Sequence, residues 1–152
     1  MVTRLNPYLG FRDKARQAIE FYRSVFGGEL SISTFRDFGM DENQSEGDKV
    51  MHSMLEAPNG LTLMAADTPN NMEYKPGTNV SISLSGEDEA ELRGYWEKLS
   101  SGGTVTVPLE KAPWGDTFGM CFDKFGIQWM VDAIGQKQGD PPHHACLVIP
   151  PP

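Results

Sequence analysis

The side chains in this sequence that could do chemistry are few, and their spacing allows few combinations. His52 is the one histidine inside the region predicted to fold. If its strand is regular, His52 and Glu56 share a face but lie about 13 Å apart at ~3.3 Å per residue, too far to bind one ion together. His52 could therefore line a pocket or have a structural role, and both roles are favoured over that of a metal ligand.

The C-terminal segment brings together three groups that could bind a soft metal: His143, His144 and Cys146. Prolines flank this cluster on both sides, which favours a loose or partner-docking tail over a metal site. Cys121 lies in a predicted strand with no histidine near it in sequence, and this favours an inert buried thiol. No zinc-ribbon spacing relates the two cysteines, so both are expected to be unpaired.

Length and charge exclude several classes of protein. A chain of 152 residues with 39% hydrophobic content predicts one folded domain. The formal net charge of −8 argues against a nucleic-acid-binding surface, which would need clustered lysine and arginine. No apolar run approaches a membrane span or the core of a signal peptide. We therefore expect a cytoplasmic protein with no nucleic-acid or membrane partner.

The first half of the chain predicts one helix within a series of strands. Apolar residues recur at three- and four-residue spacing through this helix, Asp13 is its candidate N-cap, and Gly27-Gly28 ends it. The acidic stretch from Asp37 to Lys49 predicts an irregular loop, which would be either a mobile lid or a plain solvated loop. Strands are predicted over residues 4–11, 29–36, 50–57 and 61–66.

The second half predicts the same order of elements. Acidic residues at 87–91 precede a helix that ends at Gly102-Gly103, and such charges stabilise a helix N-terminus. The residues Asp123-Lys124-Phe125-Gly126 have the chemistry of a tight hairpin turn. Strands are predicted over residues 79–85, 104–109, 117–122 and 127–131.

Overlaying the two halves indicates a diverged tandem βαβββ repeat. When the hairpin turns are aligned, Gly60 falls on Gly126 and Met64 falls on Met130. The halves differ by roughly nine residues, which the acidic loop of the first half accounts for. Met64 and Met130 each lie on the strand face opposite the branched residues, where methionine suits either a pocket floor or a gap in the core.

Local motifs add to this repeat. The sequence resembles the PhnB-like branch of the vicinal oxygen chelate superfamily, the glyoxalase, bleomycin-resistance and extradiol-dioxygenase group, over roughly residues 4 to 134. The motifs are specific in combination, although each alone is weak. They are Pro7-Tyr8-Leu9, residues 18–22 with 25–28, Val50-Met51-His52, Trp114-Gly115 with Phe118-Gly119, and residues 123–130.

The resemblance implies an α+β fold in which tandem βαβββ modules form a cupped, mostly antiparallel eight-stranded sheet with two main helices outside. It places a single domain over residues 1–135, with repeats at about 4–67 and 78–134, and leaves a proline-rich tail over 136–152. Members of this branch have carried a methyltransferase label. A Rossmann-like cofactor site requires a glycine-rich turn that opens a helix, but both glycine pairs here follow helices.

The resemblance also implies where a metal would lie. Metal-using relatives place ligands near the first and last strand of each half, which here correspond to residues near Pro7, to Met64, to Asn79 or Ser81, and to Met130. None is a good ligand for zinc, iron or manganese, which prefer imidazole or carboxylate. We therefore expect no cofactor and no metal site of the usual kind.

The expected function is binding of a partly apolar small molecule by a homodimer, with pockets lined from both halves. Two alternatives stay open. One is a metal-dependent lyase or dioxygenase with a shifted ligand set that includes His52, and the other is an interaction module that uses the acidic loop and the tail. The candidate ligand-binding residues are His52, Met64, Ser81, Ser83, Trp114, Phe118, Gln128 and Met130.

Overall fold

The computed structural model describes residues 2–40 and 46–135, so the predictions for His143, His144 and Cys146 lie outside the described residues. The chain divides between Gly77 and Thr78 into two compact units, here called module 1 and module 2. Each module contains one main helix and one four-stranded sheet, which confirms the predicted α+β class and the tandem βαβββ order.

Module 1 is a mixed sheet with strand order β1-β4-β3-β2. The outer strand β1 runs parallel to β4, and the remaining neighbours are antiparallel. A 3₁₀ turn at Arg36–Phe38 follows β2 in the described part of the acidic loop. The elements are β1 Tyr8–Phe11, α1 Ala15–Phe26, β2 Glu29–Thr34, β3 Val50–Glu56 and β4 Thr62–Asp67.

Helix α1 covers one face of this sheet through a stripe of apolar residues, and it packs mainly on β3 and β4. Burial of each large side chain in this stripe contributes roughly 2 kcal/mol. The helix ends as predicted at Gly27, where the backbone φ of 75° favours glycine. The buried helix residues are Ala15, Ala18, Ile19, Tyr22, Val25 and Phe26.

The prediction that Asp13 caps α1 is wrong. The first N–H group of the helix, on Ala15, donates instead to Asp67 Oδ1 at 3.0 Å, and Asp67 Oδ2 accepts from the N–H of Val50 at 3.0 Å. The Asp13 carboxylate pairs with Lys49 Nζ at 2.9 Å. The buried Asp67 at the end of β4 therefore satisfies the helix start, which local sequence could not indicate.

Module 2 repeats the arrangement, with strand order β5-β8-β7-β6 and β5 parallel to β8. Its helix is capped locally, because Asp88 Oδ1 accepts from the N–H of Glu91 at 3.0 Å. The elements are β5 Ile82–Gly86, α2 Glu89–Ser100, β6 Thr104–Lys111, β7 Thr117–Phe122 and β8 Gln128–Ala133.

The predicted hairpin between β7 and β8 is confirmed, and one carboxylate organises its turn. Asp123 Oδ1 accepts from the N–H groups of Phe125 and Ile127 at 2.8 and 3.1 Å. Its other oxygen accepts from Trp129 Nε1 at 2.8 Å. This turn fixes the register that places Trp129 and Val131 in the core of module 2.

Candidate functional site

Each sheet has a helix-covered face and a second face, which we call the helix-free face. In module 1 the helix-covered face carries fully buried residues such as Leu55 and Ala65. Because side chains alternate along a strand, Met54 and Met64 lie on the helix-free face, where both are half-buried. The candidate site is built on this face.

The strand register gives the helix-free faces of the two modules the same central pattern. In each module a methionine on the last strand lies between a polar residue of the parallel neighbour and a methionine of the antiparallel neighbour. This confirms that Met64 and Met130 occupy matching positions in the repeat. The two sets are Tyr8, Met64 and Met54, and Ser83, Met130 and Met120.

These positions do not fit a hard metal ion. The resemblance puts ligands near Pro7, at Met64, at Asn79 or Ser81, and at Met130. The strand register sets the phenol of Tyr8 beside the Met64 thioether and the hydroxyl of Ser83 beside the Met130 thioether. Zinc, iron and manganese prefer imidazole and carboxylate ligands, and thioether sulfur suits soft ions. Over residues 2–40 and 46–135, no three His, Cys, Asp or Glu side chains lie together as a metal site.

A groove of about 930 Å³ lies on module 1. It runs from the helix-free face at β1 and β4, past Met51 of β3, to the segment that follows β4 and to the segments on either side of residues 41–45. The polar lining includes Glu46, Asp67, Asn70 and Asn71. The apolar lining includes Tyr8, Phe35, Met40, Met51, Ala66 and Met72.

A network of charges supports one wall of the groove. Glu46 Oε1 accepts from the backbone N–H of Asn70 at 2.9 Å, and Glu46 Oε2 lies 2.5 Å from Lys49 Nζ. Lys49 also reaches Asp13 at 2.9 Å and Asn70 Oδ1 at 3.1 Å. The hydrogen bond from Lys49, followed by that from Asn70, holds the pKa of Glu46 below its usual range, so the wall carries an ionised carboxylate at neutral pH.

Arg12 holds the segment that follows β4 in place. Its guanidinium donates to the backbone carbonyls of Pro69 and Met72, at 3.3 and 2.5 Å. The same group lies 5.4 Å from the centre of the Tyr74 ring, in a cation–π contact. Arg12 thereby positions the segment after β4, although it does not itself line the groove.

Two of the residues predicted from sequence to bind ligand, His52 and Met64, lie on the helix-free face of module 1 beside the groove. The His52 ring centre lies 6.0 Å from that of Tyr8, which lines the groove. His52 is half-buried and stands opposite Ser33 on β2. The groove lining includes neither His52 nor Met64, and their role in binding stays a prediction.

The other six predicted residues lie in module 2. The Gln128 amide satisfies its neighbours when its nitrogen donates to the carbonyls of Thr78 and Val80, at 2.9 and 3.1 Å. The Ser81 hydroxyl lies 3.4 Å from the same amide. This contact ties the chain before β5 to β8, and a binding role for Ser81, Ser83 and Gln128 stays a prediction.

The aromatic members of that set form a pair. The rings of Trp114 and Phe118 meet edge to face with centres 5.7 Å apart, a favourable geometry for aromatic side chains. Phe118 is buried and Trp114 is half-buried. Trp114 Nε1 is buried and has no hydrogen-bond partner among the described residues. Their predicted binding role, like that of Met130, is not tested by this arrangement.

A pair of buried carboxyl groups in module 2 was not identified from the sequence. Asp116 and Asp132 are only 5% and 3% exposed. Burial, followed by the charge of Asp116 and a hydrogen bond with it, raises the pKa of Asp132 to about 7. Asp116 Oδ2 and Asp132 Oδ1 have no other partner among the described residues, and a proton held by the pair would satisfy both.

Sequence reasoning also missed most of the groove. Phe35 falls within the strand predicted over residues 29–36, and the prediction of a strand did not mark it as part of a groove. Met72 and Asn70 fall in a connector that shows neither helical nor strand period, so nothing local marked them. The predicted inert thiol is supported, because Cys121 is buried and burial, followed by Asp123, raises its pKa to about 11.

Comparison with known proteins identifies the family. Residues 4–131 match the Glyoxalase/Bleomycin resistance protein/Dioxygenase superfamily, and the chain belongs to it. The structure resembles that of PA1353 from Pseudomonas aeruginosa, with a TM-score of 0.77 and 33% identity over 86% of this chain and 97% of that one. These matches confirm the fold expected from the sequence motifs.

Two further comparisons support the placement within the superfamily. A putative 3-demethylubiquinone-9 3-methyltransferase, PhnB protein, from Bacillus cereus has a TM-score of 0.69 and 28% identity over 86% of this chain and 98% of its own. An uncharacterized protein of Mycobacterium tuberculosis H37Rv is 32% identical over 87% of this chain and 73% of its own length. The resemblance to PhnB-like proteins is therefore confirmed.

Among the described helices, none has the length and apolar character to span a membrane.

Proposed function

We propose that this chain is a small-molecule-binding protein of the cytoplasm that works without the metal ion used by many members of its superfamily. The groove on module 1 is the observation that carries the proposal. Its volume of about 930 Å³ falls within the range of roughly 300 to 1,000 Å³ typical of ligand sites. Its mixture of apolar side chains with a few carboxyl and amide groups is also typical of such sites.

The donor set supports binding without a hard metal. Metal ligands would be expected near Pro7, at Met64, at Asn79 or Ser81, and at Met130. Tyr8 and Ser83 lie beside the two methionines. Thioethers and neutral hydroxyl groups bind zinc, iron and manganese poorly. These positions therefore lack the ligands that would hold a Lewis-acidic metal ion.

Methyl transfer is not supported either. A Rossmann-like cofactor site needs a glycine-rich turn between a strand and the helix that follows it. Gly27 and Gly28 follow α1, and Gly102 and Gly103 follow α2. Gly28 and Gly103 instead lie against backbone, since a Cβ would come within 2.2 Å of Glu56 O or 2.1 Å of Phe122 O. Close packing explains these two glycines without a cofactor.

The eight residues predicted from sequence belong to the proposal as a second set of contacts. His52 and Met64 lie on the same face of module 1 as the groove, and Tyr8 connects His52 to it. The six residues of module 2 would recognise ligand on their own helix-free face. The proposal requires the groove and does not depend on this second set of contacts.

Filling the groove tests the proposal. Gly10 lines the groove, and a Cβ added there would meet no atom within 4 Å. The substitution Gly10→Phe should therefore fill the space while leaving the strand intact. Wild type should show raised melting temperatures with members of a metabolite library, because binding stabilises the folded state. Gly10→Phe should lose these shifts, and added EDTA should leave them unchanged in wild type.

Gly94→Phe is the matched control. Gly94 lies in α2 of module 2, and a Cβ there also meets nothing within 4 Å. This variant should keep every ligand-induced shift. Shifts that survive in Gly10→Phe would show that the groove is not the site, and shifts abolished by EDTA would contradict metal-free binding.

A further inference from the structure

We infer that the groove of module 1 accepts an organic cation with an apolar, ring-containing body. This inference rests on the proposed function and adds a ligand class to it. Two features of the described lining carry it. Its thioether and aromatic side chains suit a flat apolar body, and its charged members are carboxyl groups only.

The apolar part of the groove is built from thioethers and aromatic rings. Met40, Met51 and Met72 line it together with Phe35 and Tyr8. Methionine side chains are flexible and polarisable, so they adapt to ring systems of different outline. Aromatic faces attract cations, most strongly where water is partly excluded. This lining therefore favours a ring-containing body and tolerates a positive charge beside it.

The charged part of the groove is anionic. Glu46 and Asp67 contribute carboxyl groups, and no lysine, arginine or histidine occurs among the lining residues that the structure describes. Both oxygens of Asp67 accept backbone N–H groups, which fixes this carboxyl group in the wall. Glu46 is held ionised by Lys49 and Asn70. A cationic head group would be attracted to this wall, and an anionic one would be repelled.

The nearest basic residues are already engaged. Lys49 is 12% exposed and contacts two carboxylates, those of Glu46 and Asp13. Counted together, these three groups carry a net charge of −1. The Arg12 guanidinium donates to carbonyls of Pro69 and Met72. An anionic ligand such as a phosphonate would have to displace these contacts, which adds a cost that a cation avoids.

Three probes with one body and different head groups test the ligand class. They are (2-naphthylmethyl)trimethylammonium, 2-naphthylmethanol and 2-naphthylmethylphosphonate, which are cationic, neutral and anionic. Equilibrium dialysis of the full chain at neutral pH and low salt should give tightest binding for the cation. We expect at least about fivefold preference over the neutral probe, since one charge at close range contributes about 1 kcal/mol or more. The phosphonate should bind most weakly.

Two pairs of variants locate the effect. Glu46→Gln should remove most of the preference for the cation while the neutral probe still binds. Asp48→Asn removes an exposed acid that pairs with Arg36 and does not line the groove, so it should leave the preference unchanged. Gly10→Phe should abolish binding of the cation, and Gly94→Phe should not.

The possible results distinguish a wrong ligand class from a wrong proposed function. Equal binding of the three probes, lost in Gly10→Phe, would overturn the cation preference and leave the groove as a binding site. Tightest binding of the phosphonate would also overturn it. Binding that Gly10→Phe does not affect would argue against the groove itself. Failure of all three probes to bind wild type would reject this ligand class, and the metabolite library would then test the proposed function alone.

Discussion

Single residues decide which chemistry this fold can support. Met64 and Met130 occupy matching positions, and their partners Tyr8 and Ser83 complete two similar sets. The match between the two methionines followed from the sequence, because the two hairpin turns could be overlaid, whereas their partners depend on strand register. The carboxyl pair of module 2 did not follow, because Asp116 precedes β7 and Asp132 lies within β8, and their proximity depends on strand register.

The carboxyl pair predicts an unusual pH dependence. The folded-state pKa of Asp132 is about 7, whereas an unfolded chain gives about 3.9. Between these values the folded state holds a proton that the unfolded state releases. Stability from this group is therefore fully present below about pH 4 and is lost as pH rises to about 7, with a slope of up to about 1.4 kcal/mol per pH unit.

Asp132→Asn tests this dependence, because the amide is neutral at every pH and can donate to Asp116. Urea denaturation at pH 5, 6, 7 and 8 should show a smaller fall in the free energy of unfolding with rising pH than in wild type. Asp48→Asn, which removes an exposed acid, should keep the wild-type slope. Parallel slopes for wild type and Asp132→Asn would show that the pair does not hold a proton in the folded protein.

At the scale of elements, the sequence predicted what is determined locally. The stripe of α1, the acidic start of α2 and the Asp123 turn each depend on residues within a few positions of one another. The start of α1 was predicted wrongly, because its first N–H group is bound by Asp67, 52 residues away. The groove was missed for the same reason, since its walls come from segments that are distant in sequence.

The contribution of Asp67, which connects the start of α1 to the start of β3, can be measured. Asp67→Ala would leave the buried N–H groups of Ala15 and Val50 without acceptors. We expect a loss of about 2 to 4 kcal/mol in the free energy of unfolding, since each unsatisfied buried group costs about 1 to 3 kcal/mol. Asp67→Asn keeps one acceptor oxygen and should lose about half as much.

Asp88→Ala provides the comparison, because it removes an exposed N-cap from α2. Loss of such a cap costs about 1 kcal/mol, so Asp67→Ala should be clearly more destabilising. Equal effects in urea denaturation would show that the contacts of Asp67 add nothing beyond ordinary capping, and that α1 does not depend on β4 for its start.

At the scale of the whole molecule, oligomeric state and ligand binding should be separable. The homodimer expected from the sequence is a proposal, and the edge strand β6 of module 2 supports it. Val105 and Val107 on this strand are 46% and 37% exposed, although both are apolar. An exposed strand edge with apolar side chains favours pairing with another chain. The groove, in contrast, is lined wholly by residues of module 1.

Light scattering coupled to size-exclusion chromatography should therefore give about twice the mass of one chain. Val107→Lys should shift this mass toward the monomer, because a charge on an edge strand opposes pairing. Val80→Lys, at another exposed valine of module 2, should leave the dimer intact. A monomeric wild type would contradict the dimer, and a dimeric Val107→Lys would place the interface elsewhere. Because the groove needs one chain only, monomeric Val107→Lys should bind the naphthyl cation as tightly as wild type.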